Sequence, residues 1–216
     1  MVIEGNYTII VFVLIVIVFT GIDYIGSLKR SENRKKVAIN LGFKFSRKVS
    51  QDIKNTVSEF ELYTGNRKKI FDVMCGERRD VSILFFNFQH YLGERKNLYC
   101  VVAFKDDYST LPDFQLLPDN LVDKIDKALS RIRNNFGDFP IFYKLYSLFP
   151  HNEEKFKRIF GDAVLSHLDV NKNISIECKN NVLIFYVNSE LSELDEIDRL
   201  IENSDKIRTL LTEYVN

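Results

Sequence analysis

The stretch from Thr8 to Arg30 reads TIIVFVLIVIVFTGIDYIGSLKR, and it determines where the rest of the chain is placed. Residues 5–22 carry no charge, and the central run IIVFVLIVIVF has no polar residue on any side. About 20 such residues in a helix rise about 30 Å, the thickness of a bilayer core, whereas a helix of a soluble domain keeps one polar side. We therefore predict a transmembrane helix over residues 7–26, behind a short external N-tail at residues 1–6.

Two alternatives compete with the anchor, namely a cleaved export signal and the buried helix of a soluble domain. An export signal has a basic start, a shorter apolar core and a cleavage site of small residues. Residues 1–6 contain no Lys or Arg, and TGIDYIGS offers only a weak cleavage site. The pattern favours the anchor over both alternatives.

The charges that flank the apolar run predict its orientation. No basic side chain precedes it, and the segment that follows has five cations and only one carboxylate, that of Glu32. The five cations are Lys29, Arg30, Arg34, Lys35 and Lys36. Because basic flanks stay on the cytoplasmic side, we expect a cell-membrane protein with its N-terminus outside and its C-terminal domain in the cytoplasm.

The charge of the chain sums to zero but is unevenly distributed. Residues 27–96 carry 16 basic and 8 acidic side chains, whereas residues 97–216 carry 14 basic and 20 acidic ones. With the five flanking cations, Arg67, Lys68 and Lys69 form the candidate set of membrane-proximal basic contacts for anionic lipid. The alternative is a solvated surface that serves solubility and topology. Nucleic acid is not expected as a partner, because its binding needs exposed aromatic side chains beside the cations and the aromatic residues here follow buried patterns.

The first part of the soluble region reads as a helix followed by strands. We predict a basic juxtamembrane helix over residues 27–42, capped by Ser31 and ended by Gly42, and then a short strand in FKF. Four strands should follow as an antiparallel meander, in KKIFDVMCG, VSILFFNFQHY, NLYCVVAFK and DFQLLP. The second of these is apolar on both faces, as in a central strand that is covered on both sides. A helix capped by Asp119 should complete a β-meander subdomain over residues 43–133.

The second part, residues 141–216, predicts a β-α-β-β-α subdomain. Its strands are IFYKLYSLF, NISIECK and VLIFYVN, the last two joined in a hairpin through Asn180 and Asn181. Ser192 and Asp195 resemble a capping box for the final helix. The fold class is therefore α+β, and the pattern leaves open whether the two parts share one sheet or form two subdomains.

Patterns that carry chemistry are scarce. The sequence has no phosphate-binding glycine loop, no nucleophile elbow and no HExxH helix. His90, His151 and His167 lack the spacing of metal ligands, and the three cysteines, Cys75, Cys100 and Cys178, contain no CxxC. We read the cysteines as small hydrophobic residues of a core. We therefore assign no catalytic residue, no cofactor and no metal.

Two longer segments, LGFKFSRK and FELYTGNRKKIFDVMCGERRDVSILFFNF, carry a resemblance to a known group of proteins. The matching positions are Leu41, Gly42, Phe60, Leu62, Gly65, Met74, Gly76, Val81 and Phe86. The chain resembles a family of uncharacterised prokaryotic single-pass membrane proteins with a cytoplasmic α+β domain. Members have phenylalanine-aspartate-tyrosine where this chain has Phe86, Asn87 and Phe88, so no polar role carries over to Asn87. The resemblance implies a location and a fold but no reaction.

Three functions remain open from the sequence. The first is a membrane-anchored, non-enzymatic interaction or scaffold module whose acidic half meets a protein partner or a second copy of the chain. The second is a module that contacts anionic lipid of the cytoplasmic leaflet. The third is an enzyme whose site is assembled from distant residues. The missing catalytic signatures favour the first.

Overall fold

The computed structural model describes residues 4–63, 66–105, 111–118, 146–150 and 158–213. The helix predicted after Asp119 lies outside these residues. So do His151 and most of the first helix predicted in the β-α-β-β-α subdomain.

Helix α1 spans Glu4–Asn40, 37 residues without interruption. The predicted anchor and the predicted juxtamembrane helix are therefore two parts of one helix. Ser31 does not cap a helix, because it lies within α1, where its Oγ accepts a hydrogen bond of 2.7 Å from Arg47 Nε. The cap was misread because Ser is equally tolerated inside a helix when its hydroxyl has a partner elsewhere.

The two parts of α1 have different surroundings. Seven described side chains near its start are apolar and between 47% and 66% exposed; they are Val11, Phe12, Val13, Leu14, Ile15, Ile17 and Val18. Near its end, Arg34, Val37 and Ala38 are buried against the sheet. Taking only the described residues, none of the helices combines the length and hydropathy of a membrane-crossing segment.

Helix α1 ends at a glycine motif, as the sequence predicted for Gly42. Gly42 has φ +73°, its N–H donates to Ile39 O at 3.0 Å, and Phe43 N–H donates to Ala38 O at 2.7 Å. These two bonds define a Schellman motif, which needs a residue with positive φ at the Gly42 position. The motif directs Phe43 onto the sheet.

Eight strands form one sheet in the described residues, in the order β1-β2-β3-β4-β8-β7-β5-β6, and every neighbouring pair is antiparallel. They are β1 Lys44–Ser46, β2 Asn66–Arg78, β3 Val81–Leu92, β4 Arg95–Lys105, β5 Phe114–Pro118, β6 Tyr146–Pro150, β7 Ser175–Lys179 and β8 Val182–Val187. Strand β4 of the first part pairs with β8 of the second, so both parts share one sheet.

The meander is confirmed for three strands and wrong for the fourth. Strands β2, β3 and β4 are neighbours, but β5 pairs with β6 and β7, and β8 takes the place beside β4. The described residues of β5 and most of β8 are buried on both faces. Their local pattern therefore does not distinguish the two places, and only long-range pairing does.

A β-bulge in β2 overturns the prediction that Cys75 lies in a core. Phe71 pairs with Asn87 and Met74 with Phe85, so three steps on β2 match two on β3. The extra residue reverses the alternation of faces beyond the bulge. Phe71 therefore does not share a face with Val73 and Cys75, and Cys75 is exposed.

Two tight hairpin turns have positive φ angles, and the one at Asn180 and Asn181 confirms its prediction. Arg79 and Asp80 join β2 to β3 with φ +52° and +63°, and Asn180 and Asn181 join β7 to β8 with φ +50° and +60°. Two consecutive residues of positive φ match the twist of a tight hairpin.

Helices cover both faces of the sheet. Helices α1, α3 (Asp162–Val170) and α4 (Leu194–Glu213) contribute to a core with Phe85 and Val102, whereas α2 (Gln51–Ser58) and a 3-10 helix (Glu61–Tyr63) pack with Phe86 and Val101. Strand β3 contributes to both cores, which confirms its predicted central place.

The capping partner at the start of α4 differs from the prediction. The Ser192 and Glu193 N–H groups donate to Glu196 Oε2, at 3.2 and 3.3 Å. Because α4 begins at Leu194, the carboxylate that reaches back is that of Glu196 rather than Asp195.

We predict that Gly76→Ala lowers the free energy of unfolding by about 1–3 kcal/mol, the usual cost of overpacking. A Cβ at this position would lie 2.1 Å from the Phe43 ring, whose place is fixed by the end of α1. Urea unfolding of the full chain in detergent measures the change. Adding Phe43→Ala to Gly76→Ala should cost less than the sum of the single changes, whereas Gly21→Ala, with no atom within 4 Å, is the control. Additive single and double changes would contradict this packing.

Candidate functional site

The structure divides the eight predicted basic contacts into three sets. Lys29, Arg30 and Arg34 line one groove, Lys35 and Lys36 are exposed on α1 outside it, and Arg67, Lys68 and Lys69 lie near the start of β2. The three sets differ in their contacts.

A groove of about 640 Å³ lies between α1 and the loop of residues 188–193, which joins β8 to α4. We call it the α1 groove. Helix α1 contributes Gly26, Lys29, Arg30, Asn33 and Arg34, and the loop contributes Glu190, Ser192 and Glu193. Cations therefore lie on the helix side and carboxylates on the loop side.

Three side chains of α1 hold the loop. Arg30 Nη1 donates to Glu190 Oε1 at 2.6 Å, and Asn33 Nδ2 donates to the Ser192 carbonyl at 2.9 Å. Arg34 Nη2 donates to the Leu191 carbonyl. Positions i, i+3 and i+4 share one side of a helix, which explains why this spacing can grip one loop.

Arg34 lies at the base of the groove and is only 2% exposed. Arg34 was predicted among the membrane-proximal basic contacts, but its burial separates it from the exposed members of that set. Its guanidinium carbon is 5.1 Å from the centroid of the Phe85 ring, a cation–π contact. Burial lowers the pKa of Arg34, while Cys100, Asp72 and Glu190 raise it, yet a guanidinium stays charged in proteins. Its Nε and Nη1 have no oxygen acceptor, and a side-chain hydrogen bond with Cys100 also raises its pKa.

Two polar groups beside Arg34 come from the sheet. Cys100 Sγ donates to Asn87 Oδ1 at 3.2 Å and accepts from Leu191 N–H at 3.3 Å. Burial raises the pKa of Cys100, so its thiol stays protonated and acts as a link between the sheet and the loop. Asp72, buried in the β2 bulge with φ +52°, places a carboxylate close enough to raise the pKa of Arg34.

The cations near the start of β2 lie over aromatic rings. Lys68 Nζ is 4.6 Å from the Tyr63 ring centroid, and Arg67 is 5.7 Å from that of Tyr91. Lys69 Nζ lies 5.4 Å from the Phe71 ring. All three cations are exposed, so aromatic rings hold them in place without removing them from water.

The β2 cations and the groove lie at the same end of the domain. Phe43, just after α1, contacts Gly76 of β2. Arg34 of α1 contacts Phe85, which pairs with Met74 of β2. Residue numbers along α1 and along β2 therefore decrease in the same direction. Helical rise places Lys29 about 7.5 Å beyond Arg34, and strand rise places Lys69 about 10 Å beyond Asp72. This is the end at which the apolar part of α1 leaves the domain.

A second buried polar centre lies on the opposite face of the sheet, at Glu177, which is 3% exposed. Its carboxylate accepts hydrogen bonds from the N–H groups of Glu61 and Leu62, from Gln115 Nε2 and from Tyr186 Oη, at 2.6 to 3.1 Å. Burial raises the pKa of Glu177, and the bonds from Tyr186, Gln115 and Glu61 oppose that rise. We assign it a structural role, because two of these bonds tie the 3-10 helix to the sheet and the other two join β7 to its neighbouring strands β5 and β8.

Sequence reasoning missed Glu177, although one signal was present. It is the one charge among residues 175–178 of the strand SIECK, all four of which are buried. A charged residue on an otherwise buried strand indicates a paired or hydrogen-bonded charge.

The described histidines do not converge on one site. His90 is buried in the core beside Tyr99, and His167 lies beside Asn171 at the end of α3. Burial and Lys206 lower the pKa of His167. Within the described ranges, no group of three or more His, Cys, Asp or Glu side chains could hold a metal ion.

Comparisons with known proteins support the fold class. Neither the known protein families nor the curated proteins contain a match to this chain. Among solved structures, the crystal structure of the mycobacterial trehalose monomycolate transport factor A, TtfA, is similar with a TM-score of 0.55 and 14% identity. The match covers 84% of this chain and 95% of that one. At this identity, the likeness shows an α+β fold and nothing about activity.

We predict that Arg34→Ala lowers the free energy of unfolding by about 2–4 kcal/mol, because it leaves the partly buried Leu191 carbonyl without its donor and the buried Asp72 without its cation. Arg34→Met should cost less, since it keeps the packing of the side-chain stem against Phe85. Lys36→Ala, on the exposed side of the same helix, is the control. Urea unfolding and hydrogen exchange of residues 27–40 measure the effect, and equal losses in Arg34→Ala and Lys36→Ala would contradict the burial of Arg34.

The raised pKa of Glu177 predicts a specific pH dependence. An acid whose pKa is raised by folding adds stability below its unfolded pKa, about 4.3 for glutamate, and loses it as the pH rises through the folded value. The stability of the native chain minus that of Glu177→Gln should therefore fall as pH rises above about 4.3. Urea unfolding of both proteins across this range measures the difference. A difference that grows with pH would show that the four hydrogen bonds outweigh burial.

Proposed function

We propose that the chain is a single-pass membrane anchor carrying a non-enzymatic interaction module, and that the module is held rigidly at the cytoplasmic face. The observation that carries the proposal is the continuity of α1 from Glu4 to Asn40. The C-terminal end of this helix is buried in the domain, and the N-terminal part has exposed apolar side chains. An uncharged run over residues 5–22 supports placing that end in a bilayer.

A continuous helix mounts the domain differently from a flexible linker. A linker rich in Gly and Ser lets a domain sample many distances from the membrane, whereas a helix fixes both distance and direction. The hydrogen bonds of Arg30, Asn33 and Arg34 to the loop also fix the rotation of α1 against the sheet. Such a mounting suits a module that presents one surface at a set height.

The acidic half supplies the surface for a protein partner. Helix α4 follows the groove and carries exposed carboxylates at Asp195, Glu202 and Glu213. We infer a basic partner surface or a second copy of this chain as its complement. TtfA, a structural neighbour, is a transport factor, and a transport role agrees with this proposal, as does the resemblance to single-pass membrane proteins.

A second candidate function is contact with anionic lipid. It is favoured by the position of Lys29 and of Arg67 to Lys69 at the end where α1 leaves the domain. Each exposed cation close to an anionic leaflet contributes about 1 kcal/mol at low salt. This contact would add to the anchor rather than replace a partner.

We predict that the full-length protein resists carbonate extraction from membranes and that a C-terminal fluorescent reporter is active in the cytoplasm. Leu14→Lys with Ile17→Lys should release the protein, because each charge at the centre of a span costs about 2.5–3.5 kcal/mol. Ser27→Lys, beyond the apolar run, is the control. A native protein that is extracted by carbonate would refute the anchor.

For the partner, in-membrane crosslinking followed by mass spectrometry should capture a protein or a second copy through α4. Asp195→Lys with Glu213→Lys should reduce that product, because it reverses two exposed charges of the acidic surface. Glu94→Lys, an exposed charge at the basic end, is the matched control. If only lipid adducts form, near Lys29 and Lys68, the lipid function takes precedence.

A further inference from the structure

We propose that the α1 groove binds the headgroup of one phospholipid in which a phosphate is joined to a primary ammonium, as in phosphatidylethanolamine. The inference rests on the proposed membrane anchor and names a ligand for a site within it. It differs from a diffuse attraction of basic residues to an anionic leaflet, since it assigns one bounded site and one zwitterionic headgroup.

The depth of the groove matches the headgroup layer. The span predicted for α1 ends at residue 26, and the groove begins at Gly26. Helical rise places Lys29 and Arg30 about 6–8 Å beyond Ile25, within the roughly 5–8 Å that headgroups occupy on each side of the hydrocarbon core. Side chains of a helix lean toward its N-terminus, which brings Asn33 closer to the same layer.

The charges of the groove fit a zwitterion better than an anion. Arg30 and Glu190 neutralise each other at 2.6 Å. Among the described residues, Lys29 and Glu193 have no ion-pair partner, and they come from opposite walls. Lys29 can therefore pair with a phosphate and Glu193 with an ammonium. A purely anionic headgroup would meet the uncompensated carboxylate of Glu193.

Arg34 supplies the second, independent observation. It is 2% exposed and lies among the residues of the groove. Its Nε and Nη1 have no oxygen acceptor and are closed off from solvent, and its guanidinium also hydrogen-bonds to the Cys100 thiol. Arg34 therefore adds a fixed positive charge beneath the groove rather than a direct contact, and this charge favours a phosphate above it.

Native mass spectrometry of the full-length protein tests the proposal. The protein is reconstituted in nanodiscs of equimolar phosphatidylethanolamine, phosphatidylglycerol and phosphatidylcholine, then released gently so that bound lipid is counted. We expect one retained phosphatidylethanolamine per chain. Lys29→Gln should reduce its retention about fivefold, the effect of one close cation, and Glu193→Gln should shift the preference toward phosphatidylglycerol. Excess inorganic phosphate should not displace the lipid.

Matched variants separate this site from general charge effects. Lys35→Gln and Asp195→Asn change the same charges on exposed positions outside the groove, and they should leave retention unchanged. Equal retention of the three lipids, equal loss in Lys29→Gln and Lys35→Gln, or displacement by inorganic phosphate would overturn the proposal. If the protein stays in nanodiscs without retained lipid, only the groove assignment fails, whereas a protein that does not enter nanodiscs refutes the anchor itself.

Discussion

The buried guanidinium of Arg34 determines how helix α1, the sheet and the loop of residues 188–193 fit together. A charge taken out of water costs several kcal/mol unless its surroundings replace the lost hydration. Here the Leu191 carbonyl, the Phe85 ring and the nearby carboxylates of Asp72 and Glu190 provide that replacement only in part. The arrangement tolerates little rotation of α1, because any rotation would leave the charge buried with fewer contacts.

This constraint connects the domain to the outer part of α1. The Schellman motif at Gly42 and the packing of Phe43 against Gly76 fix one end of the docked segment, and the contacts of Arg30 to Arg34 fix the other. Because no break in the helix follows toward the N-terminus, the orientation set at the sheet continues into the apolar run. The orientation of the apolar run relative to the domain therefore depends on side-chain contacts that are spread over about 15–20 Å of one helix.

Local signals in the sequence were sufficient where a few neighbouring residues decide the structure. They predicted the helix end at Gly42, the hairpin at Asn180 and Asn181, and the doubly covered strand β3. They failed where distant segments decide it. The bulge at Asp72 places Cys75 outside the core that was predicted for it. Strand β5 lies beside β7 because pairing between distant segments outweighs sequence order. Arg34 was misread because it stands in a run of charged residues, RSENRKK, and such a run usually faces water.

Arg34 and Glu177 are buried charges that work by the same principle on opposite faces of the sheet. Arg34 donates to a backbone carbonyl of the loop after β8, and Glu177 accepts from backbone N–H groups of the 3-10 helix. An apolar contact alone would let these segments slide, since hydrophobic burial is not directional, whereas a hydrogen bond to one backbone group selects one register. On the Arg34 face, the selected register places Glu190 and Glu193 opposite Lys29 and Arg30. The groove therefore owes its charge pattern to a polar contact beneath it, and a change at Arg34 should alter the groove without touching its exposed charges.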